Sequence, residues 1–327
     1  MSLVFSAESH LVPELFNESE ALAPFNPFFS AAYSRARSLL GAQPWVLTLR
    51  NHGVLVLACP TFLHSGRLNV RLEIPSLPNL RGYEIFWDEL CRFCQSQQVT
   101  QLRIDTFGSE EAQIPHFEKE VQRKLRWEYV LNLAQPDFLD GLSSNHLRNI
   151  KRARKKGMFM RCASTPLACA EHAQLMDQSM ERREQRGETV PRKGHQEVFH
   201  MLTQARAAEI FQAVLDQEVV SSILVLLCSQ GAYYHTAGTS PRGMALGASH
   251  FLINEIAREL SERSLQKFNL GGVDDPDGGL ARFKSGFGST RIALEAAEFF
   301  FGSRSQQWLG TASQWLKERC QMVTHAR

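Results

Sequence analysis

Strict alternation of apolar and polar residues marks half-buried strands, and a 3.6-residue recurrence marks helices. WVLTLR (45–50) and GVLVLAC (53–59) flank Asn51-His52-Gly53 and predict a hairpin. LNVRLEI (68–74) alternates as a third strand. Tyr83, Phe86, Leu90 and Phe93 recur at helical spacing and predict a helix over about 82–98. TQLRIDTF (100–107) reads as a strand, then a polar helix near 113–124 and the strand EYVLNL (128–133). Residues 1–44 carry Pro13, Pro24, Pro27 and Pro44 and read as loops around one helix at 30–40.

The element order recurs in the second half without any repeat of the sequence. A helix at 142–157 ends at Gly157, a suitable C-cap. A short strand (158–162) and helices at 167–186 and 195–208 follow. Three strands with tight turns span 209–240, then a helix at 247–263, QKFNLGG, a Gly-rich loop, a strand at 290–301 and a helix at 305–320. The pattern predicts an α/β (α+β) protein of two domains, with the boundary at Pro136–Gly141: residues 1–140 and 141–327. In such a plan ligands favour the crevice where strand directions part, which directs attention to 231–250.

Charge changes the picture locally. The formal net charge is +2, yet 141–160 hold six Lys/Arg and no acid. Arg148, Lys151, Arg152 and Lys155 fall on one helical face, which is either solvated surface or a contact for phosphates. No apolar run reaches the roughly 18 residues of a membrane helix, and the N-terminus lacks a signal-peptide pattern. The seven irregularly placed cysteines do not form a disulfide framework. The expectations are a cytoplasmic protein without stable membrane insertion and without a metal. Asp274, Asp275 and Asp277 lack the glutamate that completes a calcium loop and read as turn residues.

Three segments carry candidate chemistry. Gly247, Ala248 and Ser249 open a helix whose free N–H groups suit a phosphate, or simply let the helix pack closely. Arg242–Gly247 (RGMALG) is a degenerate match to the Arg/Gln-x-x-Gly-x-Gly/Ala loop of acetyl-CoA-binding enzymes, with Arg242 and Gly243 as its first residues. RFKSGFG (282–288) sets Lys284 among glycines that would admit a ligand to the backbone. That lysine could face charge on an attacked carbonyl, hold a phosphate, or be an ordinary loop residue. Arg183 and Arg186 end a helix and either reach a substrate anion or complement the helix dipole. His235 is a catalytic base or a core histidine.

LRNIKRARKKG, LINEIARELSERSLQKFNLGG and RFKSGFG, in this order, resemble the Fem-type (FemABX-like) branch of the GNAT acyltransferase superfamily over about 142–288. The resemblance implies tandem GNAT-like domains, each a mixed, largely antiparallel sheet flanked by helices, with the donor site in 141–327. It implies an N-acyltransferase that moves an acyl group from an acyl-CoA to an amine. The other readings are a tRNA-dependent aminoacyltransferase acting on a cell-wall precursor and a non-catalytic binding module of the same fold. By the same resemblance Lys284 and Phe283 match the family's Phe-Lys motif near the transfer centre, and Arg186 matches a substrate-phosphate arginine. The site expected from all this comprises Lys284 and His235 at the chemistry, Arg242, Gly243, Gly247, Ala248 and Ser249 at acyl-CoA, and Arg186, Phe283, Arg148, Lys151, Arg152 and Lys155 at substrate.

Overall fold

The computed structural model describes residues 3–9, 12–66, 69–188, 190 and 196–302; the helix expected at 305–320 lies outside them. Two runs of elements share one order. The first is β1 (Leu3–Glu8), α1 (Pro13–Leu22), α2 (Ala31–Leu39), β2 (Gln43–Asn51), β3 (Val54–Ser65), β4 (Val70–Ile74), α3 (Ile85–Ser96) and β5 (Gln101–Asp105). After β6 (Glu120–Asn132) and α4 (Ser144–Lys155) comes the second: β7 (Phe159–Ala163), α5 (Pro166–Gln185), α6 (Gln196–Gln204), β8 (Ala208–Leu215), β9 (Glu218–Leu227) and β10 (Gly231–Thr239). It continues through α7 (Pro241–Leu246), α8 (Ala248–Glu262), β11 (Lys267–Val273), α9 (Gly279–Ser285) and β12 (Thr290–Phe300).

Local chemistry explains most boundaries. His52 and Gly53 both take positive φ, which closes the β2–β3 hairpin. Ser143 and Thr165 cap α4 and α5 through their side-chain oxygens, and Gly157 has φ +80° after α4. Three expectations fail. No helix forms near 113–124; residues 120–132 are one long strand, because Glu120–Val130 pair along almost all of β12. The N-terminal segment holds a strand and a helix, β1 being drawn into the sheet by six pairs with β2. The Gly-rich loop contains α9, and α7 replaces a loop before α8.

All twelve strands form one sheet, in the order β1-β2-β3-β4-β5-β12-β6-β11-β10-β9-β8-β7. The two halves exchange their last strands: β12, from the end of the chain, pairs with β5, while β6 pairs with β11. Helices α4 and α8 bury Ala153, Phe251 and Ile256 on one face of the second half, and α2, α5 and α6 cover the other face. Helix α5 lies so close to β10 that a side chain at Gly238 would strike the Leu175 carbonyl. Gly238→Ala is therefore expected to cost about 1–3 kcal/mol, read as a lower urea midpoint with an unchanged m-value.

Each half has one parallel strand pair, and the two pairs differ. Strands β4 and β5 stay in register through Ile74–Ile104 and are zipped further by Leu77 N–Asp105 O (2.9 Å) and Phe107 N–Pro75 O (3.2 Å). Strands β10 and β11 pair only at Gly231–Lys267, Ala232–Phe268 and Tyr233–Asn269, and then part. The fork opens in the second half alone.

Candidate active site

The fork is built from residues of three strands and one helix. Gly271, at φ +78°, turns β11 away from β10, and a Cβ there would lie 2.9 Å from the Tyr234 carbonyl and 3.5 Å from Lys284 Nζ. A side chain at 271 would thus obstruct the lysine as well as strain the backbone. Lys284 projects from α9, is 5% exposed, donates from Nζ to the Gly272 carbonyl (2.9 Å) and lies 5.7 Å from the Tyr234 ring centre. Burial pushes its ammonium down to about 7; the Glu128 carboxylate opposes this and Arg126 adds to it.

Glu128, wholly buried on β6, accepts hydrogen bonds from Tyr233 Oη (2.7 Å), Asn269 Nδ2 (2.7 Å) and Gly108 N (3.1 Å). Burial raises its carboxyl above the ordinary range, and the Tyr233 and Asn269 hydrogen bonds offset only part of that rise. Burial and the adjoining Glu128 raise the Tyr233 phenol well above its ordinary value, so it stays a donor.

A cleft of about 760 Å³ opens from this fork between the halves. Lys284, His235, Arg126 and Arg183 line it from the fork side, and Arg37, His64 and Glu73 from the first half. Arg37 grips Glu73 with two nitrogens (2.8 and 3.2 Å) and stacks 4.6 Å from the Phe62 ring centre. Burial alone would raise Glu73; hydrogen bonds from His64 and Arg37 outweigh it and hold the carboxyl far below its ordinary range. His235 is the extra residue of a bulge in β10. Behind it His172 bridges Ser222 (2.8 Å) and Thr236 (2.9 Å), and burial pushes its imidazole down to about 3.

The remaining expected residues fall elsewhere. Phe283 packs among His146, His250 and Phe287, with His250 4.9 Å away, and does not line the cleft. The glycines after Lys284 admit parts of the protein itself, not a ligand. A Cβ on Gly286 would overlap the His146 ring, and one on Gly288 would lie 2.9 Å from the Gly141 Cα. His146 in turn binds the Phe283 carbonyl (2.8 Å) and fixes α9 to α4. Arg242 is held at the surface by Asp216 and Glu218. Gly243 lies in α7 with its N–H on Ser240 Oγ (3.1 Å), Gly247 packs under Asn149, and the Ser249 hydroxyl meets Thr239 (2.9 Å). With Ala248 fully buried, none of these five lines the cleft. Arg186 is bound to Glu188 (2.7 Å) at the exposed end of α5. On α4, Arg152 donates to the Ala245 carbonyl (3.1 Å), while Arg148, Lys151 and Lys155 are exposed and form no ion pair among the described residues.

A family model for the acetyltransferase (GNAT) domain matches residues 143–285, the stretch that holds both strands of the fork and Lys284. Residues 143–285 form a GNAT domain. The fold of the whole chain is similar to that of FemX, at 12% identity and a TM-score of 0.65, over 90% of this chain and 97% of that one. It is also similar to L-PGS from Bacillus licheniformis, at 12% identity and a TM-score of 0.55, over 94% of this chain and 97% of that one. No curated protein matches in sequence. The GNAT domain begins at the cap of α4 and ends at Ser285, one residue past Lys284, so β12 and β6 lie outside it. Among the described residues no helix is long and apolar enough to cross a membrane.

Four residues of the site escaped the sequence reading: Glu128, Asn269 and the Arg37–Glu73 pair. Glu128 was readable as an acid two residues before Val130 on an otherwise alternating strand, and Asn269 as the polar residue inside FNLGGV.

Proposed function

We propose that the protein is an acyltransferase that passes an acyl group from an activated carbonyl donor to an amine at the β10–β11 fork. The observation that carries this reading is the nearly buried Lys284 ammonium, held at the point where the strands part and facing a cleft between the halves. In the reaction the amine nitrogen bonds to the carbonyl carbon and the carbonyl electron pair moves to oxygen, beside Lys284. Collapse of that intermediate re-forms the carbonyl and expels the thiolate or alkoxide, which takes up the proton lost by the amine. Lys284 stabilises the oxyanion from a site with little water, where a charge acts more strongly than in solvent. The cleft walls carry Arg37, Arg126 and Arg183, each paired with an acid (Glu73, Asp274 and Glu188), so an acceptor bearing acidic groups would bind by displacing one of these partners.

The donor is an acyl-CoA in the first reading, for which the GNAT domain argues. A charged tRNA is the second, supported by the exposed cations of α4 and by the enclosed positions of Gly247 and Ala248. Thermal shift separates them. CoA, acetyl-CoA or a longer acyl-CoA at about 100 times its dissociation constant stabilises by about 2.7 kcal/mol. A shift supports the thioester donor. Its absence, joined to tRNA binding that weakens steeply with salt, supports the second reading. Failure of both leaves a binding module and rejects acyl transfer.

A further inference from the structure

The N-terminal half contributes a carboxylate to the fork through the exchanged strand β6. Glu128 Oε2 is occupied by two N–H donors, from Gly108 and Asn269, and Oε1 receives the Tyr233 hydroxyl. Asn269 cannot turn its amide around, because its Oδ1 accepts the Gly271 N–H (2.8 Å). Donors therefore surround Glu128, an arrangement that favours the ionised acid. Two of those donors, Tyr233 and Asn269, are the last paired residues before β10 and β11 part. The acid thus clamps the apex of the fork.

Lys284 meets few other charges. Arg126, also on β6, lines the same cleft and is engaged by Asp274 at 2.7 Å. From β10 come the Tyr234 ring and His235, from β11 the Gly272 carbonyl, and the neighbouring Arg282 on α9 caps toward the Asp277 carbonyl. Glu128 lies directly opposite Gly272 in the β6–β11 register. The Gly272 carbonyl is the one that holds Lys284 Nζ, so the acid stands one strand away from the ammonium and opposes its burial.

We infer that Glu128 is a positioning residue, the fixed counter-charge by which the N-terminal half keeps Lys284 an ammonium aimed into the cleft. The inference rests on the reading of Lys284 as the group beside the transferred carbonyl, but its test needs no substrate. Trace acetylation with acetic anhydride, followed across pH by mass spectrometry, reports the fraction of each lysine that is neutral. In the full-length protein Lys284 should show a midpoint near 7, against about 10.4 for exposed lysines. In Glu128→Gln that midpoint should fall by about one pH unit or more, with exposed lysines unmoved. A midpoint unchanged in a folded Glu128→Gln protein overturns the inference and leaves Glu128 a purely structural clamp. Should Glu128→Gln not fold, Tyr233→Phe removes one donor from the carboxylate and should lower the midpoint in the same direction by a smaller step; no change there is equally fatal. Loss of acyl transfer in Lys284 variants is a separate result, so the two readings can fail independently.

Discussion

Replacing Lys284 by methionine is expected to lower the transfer rate by about 100- to 1,000-fold, the usual cost of losing one oxyanion-stabilising donor. The rate would be followed as amine-dependent release of the donor's leaving group, the free thiol or the uncharged tRNA. The pH profile carries the sharper information. Lys284 must be protonated to face an oxyanion, and burial sets its midpoint at about 7. The neutral fraction of the acceptor amine grows with pH while the protonated fraction of Lys284 shrinks. The wild-type kcat/KM should therefore rise up to about pH 7 and then level off until the amine's own pKa is passed. In the methionine variant the levelling should vanish and the rise continue. A wild-type rate that keeps climbing from pH 7 to 9 would sink the oxyanion role and make the neutral lysine a base.

The same substitution should make the protein more stable. Lys284 has its folded-state value depressed from 10.5 to about 7, so between these values the unfolded chain binds the proton that the folded chain does not. Stability consequently rises with pH across that window. The penalty is complete at and below pH 7, where it amounts to at most about 5 kcal/mol at 1.36 kcal/mol per pH unit. Methionine removes the penalty but leaves Glu128 without its partner, and we expect a net gain of about 1–3 kcal/mol, or several degrees in Tm. Melting curves at pH 6.5, 8 and 10 should show the gain shrinking towards the highest pH. A variant less stable than wild type at all three values would mean that the lysine is not held under strain. Gain of stability with loss of activity is the signature of a group kept for chemistry.

What the sequence made legible follows from how local each signal is. The 45–59 hairpin, the Gly157 stop of α4 and the three-strand meander at 208–239 were readable, because turn residues and periodicity fix them within a few residues. Lys284 is singled out in the sequence by its motif alone. The strand 120–132 was misread because Glu120, Gln122 and Lys124 make its beginning polar; only pairing with a strand 170 or so positions later settles it. Glu128 is visible in the sequence as an acid at the start of EYVLNL, but its role is not. Its meaning depends on Tyr233 and Asn269, more than 100 residues away. The glycines at 286 and 288 show the converse: a local rule identified close approach, but only the fold revealed that His146 and Gly141 make it.

The exchanged strands set a timetable for the nascent chain. When β5 leaves the ribosome its outer edge, residues 101–105, has no partner, and the one it awaits, 296–300, is synthesised last among the described strands. At 5–20 residues per second that edge stays open for roughly ten to forty seconds. An unpaired edge carrying Leu102 and Ile104 is a template for other chains. The first half cannot close its sheet by itself, so yield in the cell should depend on chaperone capacity during synthesis more than on the stability of the finished molecule.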